Sequence, residues 1–368
     1  MHCYAPLPAL DSPTWSTYPR ALTRTRVGKR RMLKLRPSQA EYLHDQALQL
    51  ARLGGPQAAG VGPRAEACAR SLRALLDDDQ RAIVDRYAAN RTTLLVVEGL
   101  AELDDGVPGE RPGLEALKCD LYCLALASRS QILLGLVRNR AFAFDLDYNE
   151  MVRIVGNFKG GGHHRIQEEP SPDQVELSSH SGLALGAHTE PPYYCSFTAT
   201  ARHSPAPSTL ILTARWNPRQ EPTQIIPIEP VLRDLGPPAV HALTRKHYRF
   251  TRPNSYVPGD EDGRDVSIVD YNEHGDYAFR FSAYRFFACD DAPDSCRQAI
   301  DALKAGIAGA ERLQVTLDST KAILINNTKA LHCRDIIQDN RRILVRMFGY
   351  NRFSTAIVQS TDPMLVKG

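Results

Sequence analysis

The chain has 368 residues, of which 43% are hydrophobic and 24% are charged, and its formal net charge is +3 at pH 7. This length allows one large domain or two ordinary ones, and the composition is that of a globular protein with a sizeable core. The near balance of charge argues against a nucleic-acid partner and against a membrane surface. With no long apolar run and no signal-like N-terminus, the sequence predicts a cytoplasmic protein, and its eight cysteines contain no C-x-x-C pair.

The first 140 residues carry mainly helical patterns. A basic segment from Arg20 to Arg36 is interpreted as a solvated arm or an edge strand. Apolar residues at helical spacing then predict helices that end at a Gly-Gly-Pro stop and, further on, break at three consecutive aspartates. In chain order, the predicted elements are helices over 38–53, 66–89 and 114–137 and a buried strand over 92–97.

The remaining part of the chain has a different sequence pattern, in which short β-like runs alternate with Gly, Pro and Asn. Helices first and many short strands later predict an α+β protein whose core is a rolled antiparallel sheet. The predicted strands cover 151–158, 183–188, 209–214, 266–271, 277–286, 313–317, 322–325 and 343–348, with inserted helices over 228–243 and 295–308.

Two His-x-acid motifs are candidates for metal ligation. Residues i and i+2 of a strand point the same way, so a strand end can present a histidine and a carboxylate together. Non-haem iron(II) oxygenases use two imidazoles and one carboxylate on one face of the metal. His188-Thr189-Glu190 ends an apolar run, whereas His274-Gly275-Asp276 lies in a Gly- and Asn-rich hairpin loop. About one such match is expected by chance in this composition, so spacing to a third ligand must decide between them.

His332 is the candidate third ligand, because it follows the apolar run 322–325 and the turn-forming Asn326-Asn327. Fourteen residues later, Arg346 lies in an otherwise apolar strand, where a lone guanidinium is costly without a partner. The diacid 2-oxoglutarate would provide one, since its far carboxylate can accept a bidentate hydrogen bond from arginine while its keto-acid end chelates iron. A rival set of His274, Asp276 and His332 stays open.

These segments resemble a known family. The runs 184–190, 323–334 and 346–353 are similar to the H-T-E, D-N-x-x-x-x-H-G-R and R-Y-D-G-x-D-R-W motifs of the clavaminate synthase-like amino-acid hydroxylases of the taurine dioxygenase superfamily. The resemblance covers the catalytic half of the chain. It implies a double-stranded β-helix (jelly-roll) core over 141–355 with N-terminal and inserted helices, within a single domain over 1–368.

The resemblance also implies residue roles. His188, Glu190 and His332 would hold Fe(II), while Arg346 and Thr209 would bind the cosubstrate 2-oxoglutarate. Arg352 falls where the family has an arginine near the substrate, and Asp276 is a candidate substrate contact from a loop over the site. Cys333 stands in place of the family Gly, Met347-Phe348 in place of Tyr-Asp and Asn351 in place of Asp, which predicts a changed substrate pocket.

The predicted function is therefore hydroxylation by O2 of an unactivated C–H bond in a free amino acid or similar small zwitterion, coupled to decarboxylation of 2-oxoglutarate to succinate. Desaturation or cyclisation on the same scaffold is an alternative, because ligands alone do not fix the reaction outcome. A non-catalytic jelly-roll protein that binds a small molecule is a further alternative.

Overall fold

A computed structural model describes residues 31–103, 105–158, 182–251, 263–273, 275–360 and 362–368. Helices precede most of the strands, as the sequence pattern predicts. The helices are α1 (Pro37–Arg52), α2 (Val61–Leu75), α3 (Asp78–Ala88), α4 (Leu114–Lys118), α5 (Leu121–Leu136), α6 (Ile228–Leu243) and α7 (Asp294–Ala308), with a 3-10 turn at Asp145–Asp147.

The predicted break between α2 and α3 is confirmed at Asp77. Its side chain accepts a hydrogen bond from the backbone N–H of Gln80, and the Gln80 side chain accepts one from the N–H of Asp77. This reciprocal capping box satisfies two N–H groups that a helix start leaves without partners, so a new helix begins there. Helix α5 is buried on nearly all sides, and its sequence is mainly apolar apart from the buried polar run Ser128-Arg129-Ser130-Gln131.

The largest sheet forms one wall of the functional part of the molecule. Its strands lie in the order β1-β2-β14-β6-β16-β3-β18-β17, and β4 also pairs with β16. The pairs β1–β2 and β3–β18 are parallel, and the other pairs in it are antiparallel. Its strands are β1 (Arg31–Lys34), β2 (Leu94–Glu98), β3 (Arg140–Phe144), β4 (Arg153–Val155), β6 (Thr209–Trp216), β14 (Ala322–Asn326), β16 (Ile343–Tyr350), β17 (Val358–Gln359) and β18 (Asp362–Val366).

A four-stranded antiparallel sheet forms the opposite wall, in the order β13-β7-β15-β5. Three further strands pair as β12-β8-β9, and β10 pairs with β11 in a hairpin. The bounds of these strands are β5 (Leu185–His188), β7 (Pro222–Pro227), β8 (Tyr248–Phe250), β9 (Gly263–Val266), β10 (Val269–Tyr271), β11 (Tyr277–Phe279), β12 (Phe286–Ala288), β13 (Leu313–Thr316) and β15 (Ala330–Arg334).

Three apolar clusters hold these layers together. One face of the large sheet packs on α1, α2 and α5, and its other face packs against the four-stranded sheet through residues such as Leu212 and Ile225. A third cluster joins α6, α7 and strands β8 to β12 to the outer side of the four-stranded sheet. The space between the two sheets is therefore the enclosed centre of the molecule.

The predicted helix over 228–243 has the expected outer bounds, but it is interrupted by a kink at Gly236, before Pro237 and Pro238. The predicted break at Asp77 and the strands near 94–98, 209–216 and 343–350 are present. Strands β3, β7, β8 and β15 are not among the predicted elements. His332 was expected just after a buried strand, but it lies inside β15, a separate five-residue strand. Of the basic segment, Arg31–Lys34 forms the edge strand β1, and residues 20–30 lie outside the described part.

Candidate metal centre

The structure brings the three predicted ligands together. His188 ends β5, Glu190 follows two residues later, and His332 on the neighbouring strand β15 pairs directly opposite His188. One ligand atom from each of the three residues lies within 4.8 Å of the others. The two imidazole rings have centroids 4.1 Å apart, and His332 Nε2 lies 3.3 Å from Glu190 Oε1. Within the part of the chain that the structure describes, this is the one group of three such residues able to hold a metal ion.

Local contacts set the protonation of these groups. The Nδ1 atom of His188 lies 2.7 Å from the carbonyl oxygen of Gly186. A carbonyl only accepts, so Nδ1 carries the proton and Nε2 has its lone pair free. Burial, followed by the neighbouring His332, lowers the pKa of His188 to about 3. His188 is therefore a neutral imidazole at physiological pH.

Glu190 is held as a carboxylate. Burial by itself raises its pKa, but the positive charge of Arg346 and the hydrogen bond with His332 outweigh that effect and lower the pKa to about 2. Two imidazoles and one ionised carboxylate on one side of a cavity are the donor set of a non-haem iron(II) site. The residues present therefore fit a divalent transition metal, with Nε2 of His188, the Glu190 carboxylate and Nε2 of His332 as donors.

Asn327 fixes the backbone at Glu190 and is a residue that the sequence analysis interpreted only as part of a turn. Its side-chain oxygen accepts a hydrogen bond from the Glu190 N–H at 2.7 Å. Its amide nitrogen donates to the carbonyl oxygens of Glu190 at 3.2 Å and of Pro207 at 2.9 Å. The side chain is 1% exposed, so these bonds are made away from water. The backbone of Glu190, which carries the proposed metal-binding carboxylate, is thus hydrogen-bonded to the loop between β14 and β15.

Arg346 lies beside the metal centre, as predicted, but it already has two acidic partners. Its Nη1 is 3.4 Å from Glu190 Oε2, and its Nη2 is 2.6 Å from Asp147 Oδ2. The other oxygen of Asp147 accepts from Arg153 Nη1 at 2.7 Å. These buried side chains form a continuous series of ion pairs that runs from Asp147 in the 3-10 turn to the ligand Glu190. Arg346 in its apolar strand needs an anionic partner, as the sequence predicts, and the carboxylates of Asp147 and Glu190 are its partners in the structure.

Arg342 is a cavity residue that the sequence analysis did not select, because the preceding residues 338–340 are typical of a turn. Arg341 pairs with Asp339 near the surface, whereas Arg342 is 2% exposed and lines the cavity. Its Nη2 lies 3.5 Å from the Thr223 hydroxyl, and its Nε and Nη1 have no hydrogen-bond partner among the described residues. The signal was its spacing, since Arg342 directly precedes β16 and residues 342, 344 and 346 follow the two-residue alternation of an extended chain.

Thr209, predicted to contact a cosubstrate, does not line the described cavity. On β6, Leu210 and Leu212 line the cavity, so Thr209 points to the opposite face of the sheet. There its hydroxyl lies 3.1 Å from the Tyr87 hydroxyl and accepts a hydrogen bond from Asn139 at 3.2 Å. Thr223 on β7 is the described threonine that lines the cavity.

The two predicted substrate contacts also lie away from the cavity. Arg352 is exposed in the turn after β16 and stacks on Phe353. Asp276 lies in the hairpin between β10 and β11, where its N–H donates to the Asn272 side chain. His274 lies outside the described residues, and Asp276 does not line the cavity with His332, so the rival triad has no support from the described geometry.

No protein-family model and no curated protein sequence matches the chain. Solved structures do match. An asparagine oxygenase in complex with Fe(II), (2S,3S)-3-hydroxyasparagine and succinate superposes with a TM-score of 0.68 at 17% identity, over 92% of this chain and 100% of the other. The non-haem iron oxygenase OrfP with Fe and α-ketoglutaric acid gives 0.65 at 18% identity, over 87% and 94%. OrfP with Fe, succinate and (3S)-hydroxy-L-Arg gives 0.62 at 19% identity, over 86% and 93%.

The chain has their fold. The predicted resemblance to amino-acid oxygenases of this superfamily is thus confirmed at the level of architecture, over nearly the whole length of the neighbours. Among the helices that the structure describes, none is long and apolar enough to cross a bilayer.

Proposed function

We propose that the chain is a non-haem Fe(II)- and 2-oxoglutarate-dependent dioxygenase. It hydroxylates an unactivated C–H bond of a free amino acid or similar small zwitterion and couples this to decarboxylation of 2-oxoglutarate to succinate. The observation that carries the proposal is the convergence of His188, Glu190 and His332 on one point in a cavity between two sheets. The fold shared with asparagine oxygenase and OrfP supports it, because those proteins are described with iron, with succinate or α-ketoglutaric acid, and with hydroxylated amino acids.

The strand order supports a double-stranded β-helix within a single domain. Strands β3 and β4, β16, β6 and β14 lie side by side in the large sheet, and β5, β15, β7 and β13 lie side by side in the facing sheet. Two facing antiparallel sheets of this kind are typical of a jelly roll. We assign the core to residues 141–355 and the mainly helical part to 1–140.

Each lining residue has a role in this proposal. His188, Glu190 and His332 would hold the ferrous ion, which when bound supplies the activation of O2. Arg342 and Thr223 would hold the far carboxylate of 2-oxoglutarate, since a buried guanidinium with open N–H groups beside a hydroxyl fits a carboxylate. Arg346 was the anchor predicted from the sequence. We assign it to Glu190 instead, because its Nη1 and Nη2 already contact the carboxylates of Glu190 and Asp147.

The test begins with the metal centre. Anaerobic addition of Fe(II) and 2-oxoglutarate to the purified protein should produce a weak visible charge-transfer band. A screen of amino acids should then give succinate together with a product heavier by one oxygen. His332→Ala and Glu190→Ala should lose the band and turnover while staying folded. His241→Ala, on the exposed face of α6, is the matched control. Retained turnover in both cavity variants would contradict the proposal, and a product lighter by two hydrogens would redirect it to desaturation.

A further inference from the structure

Two buried arginines lie directly opposite each other on neighbouring strands of the large sheet. Arg153 on β4 and Arg346 on β16 are register partners in an antiparallel pair, and both line the cavity. They are 5% and 7% exposed. Like charges in directly opposite positions repel each other, and the repulsion is stronger away from water. Such a pair is stable only with an anion close to both guanidinium groups.

Asp147 provides that anion and divides its two oxygens between the arginines. Its Oδ1 accepts a hydrogen bond from Arg153 Nη1 at 2.7 Å, and its Oδ2 accepts one from Arg346 Nη2 at 2.6 Å. Asp147 is 1% exposed, and its carbonyl oxygen accepts from the Glu150 N–H at 3.1 Å within the turn. The carboxylate is therefore held at a fixed place between the two guanidinium groups.

Arg346 also contacts the proposed metal ligand Glu190, but the two contacts of this guanidinium are unequal. Its Nη1 lies 3.4 Å from Glu190 Oε2, whereas its Nη2 lies 2.6 Å from Asp147 Oδ2. The second oxygen of Glu190, Oε1, lies 3.3 Å from His332 Nε2 and so faces the other metal donors. A guanidinium and a metal ion compete for one carboxylate, because the arginine fork can bind both carboxylate oxygens at once.

We propose that Asp147 is a positioning residue for the metal centre: it holds one end of the Arg346 guanidinium and thereby keeps Oε1 of Glu190 open to the metal. Without the charge of Asp147, Arg346 would form a closer ion pair with Glu190, and an incoming metal ion would have to displace it. Arg153 binds the other oxygen of Asp147 and makes no described contact with Glu190. This inference rests on the proposed function, because it assumes that Glu190 is a metal ligand.

The experiment measures the affinity of the purified protein for Mn(II), from the EPR signal of the free ion. Asp147→Asn should bind Mn(II) about 10- to 100-fold more weakly than the wild type, because Glu190 is then paired with Arg346. Adding Arg346→Gln to Asp147→Asn should restore most of the affinity, since it removes the competing guanidinium. An Asp147→Asn variant with wild-type affinity, or a double variant as weak as Asp147→Asn, would overturn the inference.

Two matched controls separate this role from a general effect on charge or stability. Adding Arg153→Gln to Asp147→Asn removes the same charge from the same carboxylate, but Arg153 does not contact Glu190, so the affinity should stay low. Equal restoration by the two double variants would contradict the assignment to Arg346. Asp120→Asn removes a carboxylate that accepts from the buried Arg215 at 3.3 Å, outside the cavity. It should keep wild-type affinity for Mn(II) even where its stability is lower.

Urea unfolding establishes that each variant is folded. If Asp147→Asn does not fold, Arg346→Gln alone decides the question. It should bind Mn(II) at least as tightly as the wild type, since Asp147 keeps Arg153 as its partner, and a tenfold loss of affinity would overturn the inference. Failure of the proposed function is distinguishable, because the wild type would then bind no Mn(II), or would bind it and give no charge-transfer band with Fe(II) and 2-oxoglutarate.

Discussion

At the residue scale, two arginines four positions apart, one directly before β16 and one within it, have different surroundings. Arg346 is neutralised by Asp147 and Glu190, whereas Arg342 meets one hydroxyl at 3.5 Å. Sequence reasoning selected Arg346 because it stands in an apolar run, and it passed over Arg342 because that residue follows a turn. The distinction depends on which acidic groups fold back onto the strand, and Asp147 is 199 positions away in the chain.

We predict that Arg342→Gln weakens 2-oxoglutarate binding by about 10- to 150-fold, because a hydrogen bond to a charged group contributes roughly 1.5–3 kcal/mol. Titration of the charge-transfer band with 2-oxoglutarate measures this change. Arg341→Gln is the control, since its side chain pairs with Asp339 outside the cavity. An unchanged affinity in Arg342→Gln, with a loss in Arg346→Gln, would return the anchor role to Arg346.

Asn327 provides a second prediction at this scale. Asn327→Ala should lower the free energy of unfolding by about 1–3 kcal/mol, because it leaves buried backbone groups of Glu190 and Pro207 without partners. It should also weaken metal binding by roughly 10- to 100-fold, since the carboxylate ligand loses its support. Urea unfolding and metal titration measure the two effects.

Asn217→Ala is the matched control for that variant. Asn217 also makes three side-chain hydrogen bonds, two with the backbone of Glu221 and one with that of Leu317, in the turn between β6 and β7. It should lose stability and keep its metal affinity. Equal metal affinity in the two variants would show that Asn327 acts on the fold alone.

At the scale of elements, the apolar strands and most of the long helices were predictable, whereas two short strands of the four-stranded sheet, β7 and β15, were not. Helix α6 matches its predicted outer bounds, but it is broken at Gly236, whose φ of 78° and ψ of 165° are not helical and which is followed by Pro237 and Pro238. Strands β7 and β15 have six and five residues and lie inside the protein. Their sequences therefore lack the alternation of polar and apolar residues that marks a half-exposed strand, and they are too short to stand out as apolar runs. The apolar run that preceded His332 was correctly predicted as a strand, but the ligand belongs to the next one.

The hairpin of β10 and β11 leads to a pH prediction. Lys329, in the loop before β15, places its ammonium 3.4 Å from the centre of the Tyr277 ring. Burial lowers the pKa of Lys329 to about 8 from 10.5, although the charges of Asp276 and Glu229 oppose this. Between these two values the unfolded chain binds a proton that the native protein does not. The contribution of Lys329 to the free energy of unfolding therefore rises as the pH increases from 8 to 10.5. This contribution is lowest below pH 8.

Lys329→Met should remove that contribution. We expect the difference in free energy of unfolding between the wild type and Lys329→Met to change in favour of the wild type as pH rises from 8 to 10.5. Chemical denaturation at several pH values measures this difference, and the other titrating groups cancel in it. A difference that is constant over the window would contradict the lowered pKa.

At the scale of the whole molecule, the site lies where two sheets face each other. The three metal ligands come from the four-stranded sheet and its loop, whereas Arg346 comes from the large sheet and Arg342 directly precedes its strand β16. The motifs identified the ligands, because histidine and carboxylate spacing is a local property of the chain. The surroundings of the ligands depend on contacts between distant segments, and Thr209, Arg352 and Asp276, which were predicted from local motifs, do not line the described cavity.

This arrangement predicts additive stabilisation by metal and cosubstrate. A ligand at one hundred times its Kd that binds only the native state contributes about 2.7 kcal/mol. Metal should raise the Tm, and 2-oxoglutarate added with metal should raise it further, because the cosubstrate would connect the two sheets. Anaerobic thermal unfolding with Mn(II) in place of Fe(II) measures both steps. Glu190→Ala should lose the first step, and Arg342→Gln should keep the first and lose the second.

The buried guanidinium of Arg342 also affects how the protein behaves before it meets any ligand. Its Nε and Nη1 have no hydrogen-bond partner among the described residues, and small oxyanions at ordinary buffer concentrations can accept hydrogen bonds from them. Phosphate, sulfate and citrate should therefore compete with 2-oxoglutarate, whereas chloride at equal ionic strength should compete far less. Activity measured in phosphate would then understate the affinity for the cosubstrate, and crystals grown from sulfate would be expected to carry that anion between the sheets.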